Sequence, residues 1–234
     1  MSEDEIFKEY EGRLGELAKI LSEEASSLQV KGDDSNALLK YTQLLRLAEK
    51  MEDAKVKASC QYNIASIQYK NGDVDNALVN FQSSAASYEI MGEYENALDS
   101  RYNAGTIQEQ KGKYSNALKD YQQALVISKK TNNNYMEGIC LASIGIVYQI
   151  QGKLEDALRT FESSLELLDK TDARENQALV LGEMAKVYEK QHDHEHAIDF
   201  LEAASNMYGD MGDAEGKSAA LNKLGNVYEE GYND

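Results

Sequence analysis

Glycine recurs at a fixed interval of 40 residues, at Gly32, Gly72, Gly112 and Gly152, and His192 holds the next place in the series. Five residues after each stands an alanine, Ala37, Ala77, Ala117, Ala157 and Ala197, followed each time by Leu or Ile. Four residues further on come Tyr41, Phe81, Tyr121, Phe161 and Leu201. Seven residues before each turn position, and once more near the end, stand Ala25, Ala65, Gly105, Gly145, Ala185 and Gly225. A small residue that holds register six times restricts the chain to a repeated structural unit.

The physics of that unit is a helical hairpin. Small residues let two helices approach closely, the larger residue one turn later fills the space beside them, and glycine takes the tight turn. Apolar residues follow three- and four-residue spacing, as in Ala117, Leu118, Tyr121, Ala124 and Leu125, and no stretch sustains the period of two that a strand needs. The pattern predicts first helices near 3–30, 53–71, 93–111, 133–151, 172–191 and 213–230. Second helices are expected near 34–50, 74–90, 114–130, 154–170 and 194–210. Ser2 with Glu5 has capping-box spacing for the opening helix.

Composition agrees with a helix-rich globular chain. Zero Pro, 16 Gly, 42% apolar and 28% charged residues in 234 exclude collagen-like and Pro-rich chains and argue against disorder. The formal charge of −17 repels both the phosphate backbone and anionic membrane surfaces, so neither nucleic acid nor membrane insertion is expected. The N-terminus, Met1-Ser2-Glu3-Asp4-Glu5, lacks the basic start and apolar run of a signal peptide, and the expected location is cytoplasmic.

These residues resemble the tetratricopeptide repeat (TPR), whose pattern of L-G-x-x-Y followed by A-x-x-x-F is matched by Ile144-Gly145 with Tyr148, Leu224-Gly225 with Tyr228, Ala77 with Phe81, and Ala157 with Phe161. No repeat carries the family's Trp or closing Pro, and the period is 40 rather than 34. Six extra residues add roughly 9 Å of helix per hairpin, at about 1.5 Å each. The long period and the N-I-A and N-A-G runs at Asn63 and Asn103 are similar to the repeats of Pins-type polarity scaffolds. The resemblance implies an all-α fold, a right-handed superhelical solenoid of antiparallel helix hairpins. One domain over 1–234 is expected, with units near 14–53, 54–93, 94–133, 134–173 and 174–213 and a capping helix at 213–230. The opening helix carries an extra stripe, Ile6, Phe7, Tyr10, Leu14 and Leu17, expected to pack over the first hairpin, with a dimer contact as the alternative.

In the TPR pattern, groove residues lie thirteen, ten, nine, six and three places before the turn glycine. Carried onto this chain, the resemblance implies Ser59, Tyr62, Asn63, Ser66 and Tyr69, then Asp99, Tyr102, Asn103, Thr106 and Glu109. Ile139, Ala142, Ser143, Ile146 and Gln149 follow, and the fifth unit adds Leu179, Gly182, Glu183, Lys186 and Glu189. Tyrosines followed by amides suit a peptide, offering aromatic faces to side chains and donor-acceptor pairs to an extended backbone. The alternative is that Tyr62 and Tyr102 pack between hairpins. The carboxylate clamp of co-chaperone TPRs is not reproduced by Tyr62, Ser66 and Asn103, and the acid-binding arginines of the Pins-type groove are missing.

Little else points to chemistry. His192, His194 and His196 are the chain's histidines, and their spacing straddles a predicted turn, so a solvated turn is expected rather than a metal site. Cys60 and Cys140 hold one repeat position two units apart, too far for a disulfide at about 10 Å per helix layer, and are expected to be buried. Phosphate-binding, nucleophile-elbow and zinc-protease motifs are absent. The sequence therefore predicts a non-enzymatic adaptor without cofactor, a monomer whose groove takes a peptide or helix of a protein partner, basic if the charge guides it. The alternative is a structural subunit that packs laterally or self-associates in a larger assembly, for example a cytoskeletal or ciliary one.

Overall fold

The computed structural model describes residues 12–231, with side chains to residue 229. Among them lie eleven α-helices and no strand: α1 (Leu14–Val30), α2 (Asp34–Lys50), α3 (Ala54–Lys70), α4 (Val74–Met91), α5 (Tyr94–Gln110), α6 (Tyr114–Lys130), α7 (Asn134–Ile150), α8 (Leu154–Lys170), α9 (Arg174–Lys190), α10 (His194–Met211) and α11 (Ala214–Gly231). They fall into two compact units, Met1–Gly112 and Lys113–Asp234.

The pattern behind the fold is finer than the glycine series. Positive φ occurs at Gly12, Gly32, Glu52, Gly72, Gly92, Gly112, Asn132, Gly152, Asp172, His192 and Gly212, one residue in every 20. Turns inside hairpins and turns between them share one geometry. In nine of these turns the residue after the left-handed one both ends a helix and begins the next. The Asp33 N–H donates to Leu28 O at 2.9 Å while the Asp33 carbonyl accepts from the Ala37 N–H at 2.9 Å. The same long backward bond joins Asp53 to Ala48, Asp73 to Gln68, Asp193 to Tyr188 and Asp213 to Tyr208, at 2.8–2.9 Å. Asp33, Asp53, Asn133 and Asp193 add side-chain caps to the helices they open.

Glu52, Asp172 and His192 take φ of 51–58° without a glycine's freedom. A left-handed L-residue costs about 1–2 kcal/mol, and glycine's larger entropy loss offsets about 0.5–1 kcal/mol of that. Replacing each of the three by Gly is therefore expected to raise stability by about 0.5–1 kcal/mol, read as a higher urea midpoint.

The predicted helix at 3–30 is corrected. Gly12 at φ 90° and Arg13 at φ −128°, ψ 34° break it, and α1 begins at Leu14. The calls on Ser2, Glu5, Ile6, Phe7 and Tyr10 fall outside the described residues. Leu17 is 3% exposed and, with half-buried Leu14, joins the core that α1, α2 and α3 share.

The alanine register is the core of both units. Ala37, Ala77, Ala117, Ala157 and Ala197 are fully buried, and the Tyr, Phe or Leu four residues on is at most 3% exposed. Helices approach so closely that second-helix serines reach first-helix backbone: Ser84 Oγ donates to Ala58 O at 2.9 Å, and Ser164 Oγ to Gly138 O at 2.7 Å. A Cβ on Gly145 would lie 2.6 Å from the Phe161 ring, inside van der Waals contact. Here glycine is required by packing, not by φ.

Candidate functional site: the first-helix face

In the first unit a cleft of about 880 Å³ opens between α1 and α3. Its walls carry Ala18, Lys19, Ser22, Glu23, Ser26 and Gln29 from α1 and Val56, Ser59 and Asn63 from α3, with Tyr41 and Leu44 of α2 among its lining. The Tyr41 hydroxyl donates to Gln29 Oε1 at 3.0 Å and lies 3.3 Å from Ser26 Oγ, which orients both polar side chains. Asn63 Nδ2 donates to Ser59 O at 2.9 Å, one turn back on its own helix. The cleft thus pairs apolar surface with hydroxyls and amides, the mixture that an extended or helical peptide requires.

Sequence reasoning reached one wall of this cleft and missed the other. The expected groove residues begin at Ser59, in the second repeat. Counting back thirteen, ten, nine, six and three places from Gly32 gives Lys19, Ser22, Glu23, Ser26 and Gln29, all of which line the cleft. Gly32 was the signal that finds them.

Between α3 and α5 the expected residues are half-buried, apart from the exposed Asp99. Tyr62 packs edge-on against Phe81, with ring centroids 5.5 Å apart. Burial first and the Asp99 charge second push its phenol above the usual range, while hydrogen bonds with Asn103 and Ser66 act the other way. Desolvation first, then Glu95, raises the Asp99 carboxyl. Ser66 and Thr106 direct their hydroxyls to Tyr62 O at 3.0 Å and Tyr102 O at 3.2 Å, and Gln110 Nε2 donates to the Tyr69 hydroxyl. Glu109 and Asn103 lie half-buried on α5.

The second unit uses the same offsets differently. Ile139, Ala142 and Ile146 are half-buried and pack against the Phe161 and Leu168 core. Ser143 and Gln149 are 7% and 5% exposed, and Gln149 Nε2 donates to Glu183 O at 3.0 Å, tying α7 to α9. Leu179 is 54% exposed and, with Gly182 and Glu183, lines a smaller pocket of about 130 Å³ between α9 and α11. Lys186 pairs with Glu183 at 2.5 Å, and Glu189 is half-buried one turn on.

The histidines serve a turn. His192 takes φ 58° at a glycine position, and His196 Nδ1 lies 2.7 Å from Asp193, the cap of α10, with its ring stacked 5.0 Å from Tyr188. The backbone N–H of His196 is the main reason the Asp193 carboxyl sits below its ordinary range. Among the described residues no group of three or more His, Cys, Asp or Glu is placed to hold a metal ion. Cys60 and Cys140 are free and buried, and burial, helped by Asp53 and Glu137, pushes their thiols up to about 12. The thiolate is the reactive form, so native protein at pH 8 is expected to resist iodoacetamide while urea-unfolded protein takes up two labels, counted by intact mass.

Comparison with known proteins agrees with this architecture. The family model for the tetratricopeptide repeat matches residues 56–130 and 139–210, more than half of the chain. BtubC from P. vanneervenii superposes with a TM-score of 0.74 at 17% identity, over 90% of this chain and 87% of that one. RapI in its apo form gives 0.80 at 16% identity, over 88% of this chain and 57% of that one. YrrB, described as a TPR protein with an unusual peptide-binding site, gives 0.63 at 18% identity over 95% and 98%. At these identities the likeness is one of fold. No curated protein matches the sequence. With its hairpins in register, its alanines buried and its repeats matched by the family model, the chain belongs to the tetratricopeptide repeat family.

Proposed function

We propose that this chain is a non-enzymatic adaptor that binds a peptide or helical segment of a protein partner on the face formed by its first helices. Tetratricopeptide repeats are protein-interaction scaffolds, and no helix among the described residues is long and apolar enough to cross a membrane. The observation that carries the reading is the α1–α3 cleft, whose walls match the groove offsets of two consecutive repeats. The groove set Tyr62, Asn63, Ser66, Tyr69, Asp99, Tyr102, Asn103, Thr106 and Glu109 extends it along the first unit. Ile139, Ser143, Ile146, Leu179 and Lys186 are the proposed contribution of the second.

Charge guides the partner. At −17 overall, a basic segment gains from long-range attraction that salt screens over about 10 Å at 0.1 M. Peptides selected from a random library on the intact protein, measured by calorimetry, test the reading. Ser22→Trp and Ser59→Trp, which fill the cleft from opposite walls, are expected to weaken the selected peptides at least tenfold with the helical circular dichroism unchanged. Binding indifferent to both substitutions would remove the cleft from the account.

A further inference from the structure

The outward stripe of α4 differs from that of the other second helices. Two, six, nine and thirteen places after its buried alanine, each second helix presents a row of residues turned away from the core. On α2, α6, α8 and α10 two or three of these places are charged, as with Arg46 and Lys50 of α2 or Asp199 and Asp210 of α10. On α4 none is. The row reads Val79, Ser83, Ala86 and Ile90, with Val79 61% and Ile90 87% exposed, Ala86 exposed and Ser83 half-buried.

Charge is cancelled beside the stripe as well. The two carboxylates of α4 are both ion-paired within the first unit, Asp75 with Lys111 and Glu89 with Arg101 at 2.7 Å, and Glu93 just beyond the helix pairs with Lys55 at 2.6 Å. In a chain of net charge −17, two copies repel each other over most of their surface. The α4 face is a place where they can meet without setting like charges together.

The order of sizes along the stripe is two-fold symmetric. Laid antiparallel on itself, α4 sets Val79 against Ile90 of a second copy and Ser83 against that copy's Ala86, and the same pairs recur with the copies exchanged. Crossing helices lie closest at the crossing point and diverge towards their ends. Ser83 and Ala86 are small enough for close approach at the centre, and Val79 and Ile90 fill the widening gap on either side.

We propose that the Val79, Ser83, Ala86 and Ile90 face of α4 pairs with the same face of a second copy of this chain, antiparallel about a two-fold axis. A basic partner helix suits the face less well, because the carboxylates beside it are already paired with cations of the chain itself. None of the four residues lines the α1–α3 cleft, and neither reading depends on the other.

Sedimentation velocity on the intact protein tests the pairing. A reversible dimer is expected, its share rising with concentration and also with salt, which screens the repulsion between two acidic chains. Ala86→Arg and Ile90→Lys, both at exposed places, should each raise the dissociation constant at least tenfold with thermal unfolding unchanged. Ser59→Trp, in the cleft, should leave the dimer intact. Ser83→Lys and Ala86→Glu chains should each lose the dimer alone and regain it when mixed, because Ser83 of one copy faces Ala86 of the other. A single-chain mass at every concentration up to millimolar would overturn the proposal and give the stripe to another occupant. A dimer indifferent to Ala86→Arg would move the contact elsewhere, and a mixture that stays monomeric would refute the antiparallel register.

Discussion

Phe161→Ala is expected to lower stability by about 3–5 kcal/mol, the usual cost of deleting a fully buried ring, seen as a fall in the urea midpoint and as faster amide exchange in α7, α8 and α9. Phe161 is 0% exposed and lies in the core those helices share. The glycine beneath it supplies a sharper check. Gly145→Ala drives a Cβ to 2.6 Å from the ring, and overpacking of this kind costs about 1–3 kcal/mol. Gly225→Ala, at the equivalent position of α11, meets nothing within 4 Å and gains about 0.5–1 kcal/mol from better helix propensity. One substitution at one repeat position should therefore change sign between two helices. Equal effects at both would show that the close approach of α7 and α8 is misread.

Tyr62→Ala should cost about 2 kcal/mol, below the full core value because the side chain is half-buried. Its ring meets Phe81 edge-on and belongs to the core of α3, α4 and α5. Tyr62→Phe keeps that contact and should retain most of the stability. Asn63→Ala loses a bond to its own helix and should change the melting temperature little, yet weaken a cleft-bound peptide. If Tyr62→Ala leaves thermal unfolding untouched, the tyrosine serves a ligand rather than the fold.

The sequence by itself determined the hairpin and its period. Ala157 with Phe161, and Gly145 seven places before its turn, are legible because close helix packing needs a small residue opposite a large one, and both recur with the repeat. Helix ends agreed to within a residue or two from Asp34 onward, since each turn is a local pattern of backbone bonds.

The positive φ of Glu52, Asn132 and Asp172, in the turns between hairpins, was not legible. Those residues accept positive φ because the bonds that close the turn outweigh a cost of about 1–2 kcal/mol each, and nothing in their side chains announces it. The positive φ of Gly12, which interrupts the predicted opening helix, was not legible either.

The site depended on the tertiary structure more heavily. Asn63 and Ser143 share one offset, yet Asn63 stays half-buried on α3 while Ser143 is 7% exposed on α7. Offset selects a helix face; how far that face sinks depends on the bulk of its neighbours. The α1–α3 cleft exists because α1 and α3 stand apart over Tyr41 and Leu44 of α2. Such spacing between residues far apart in the chain is a property of packed volumes and is not written in any local pattern.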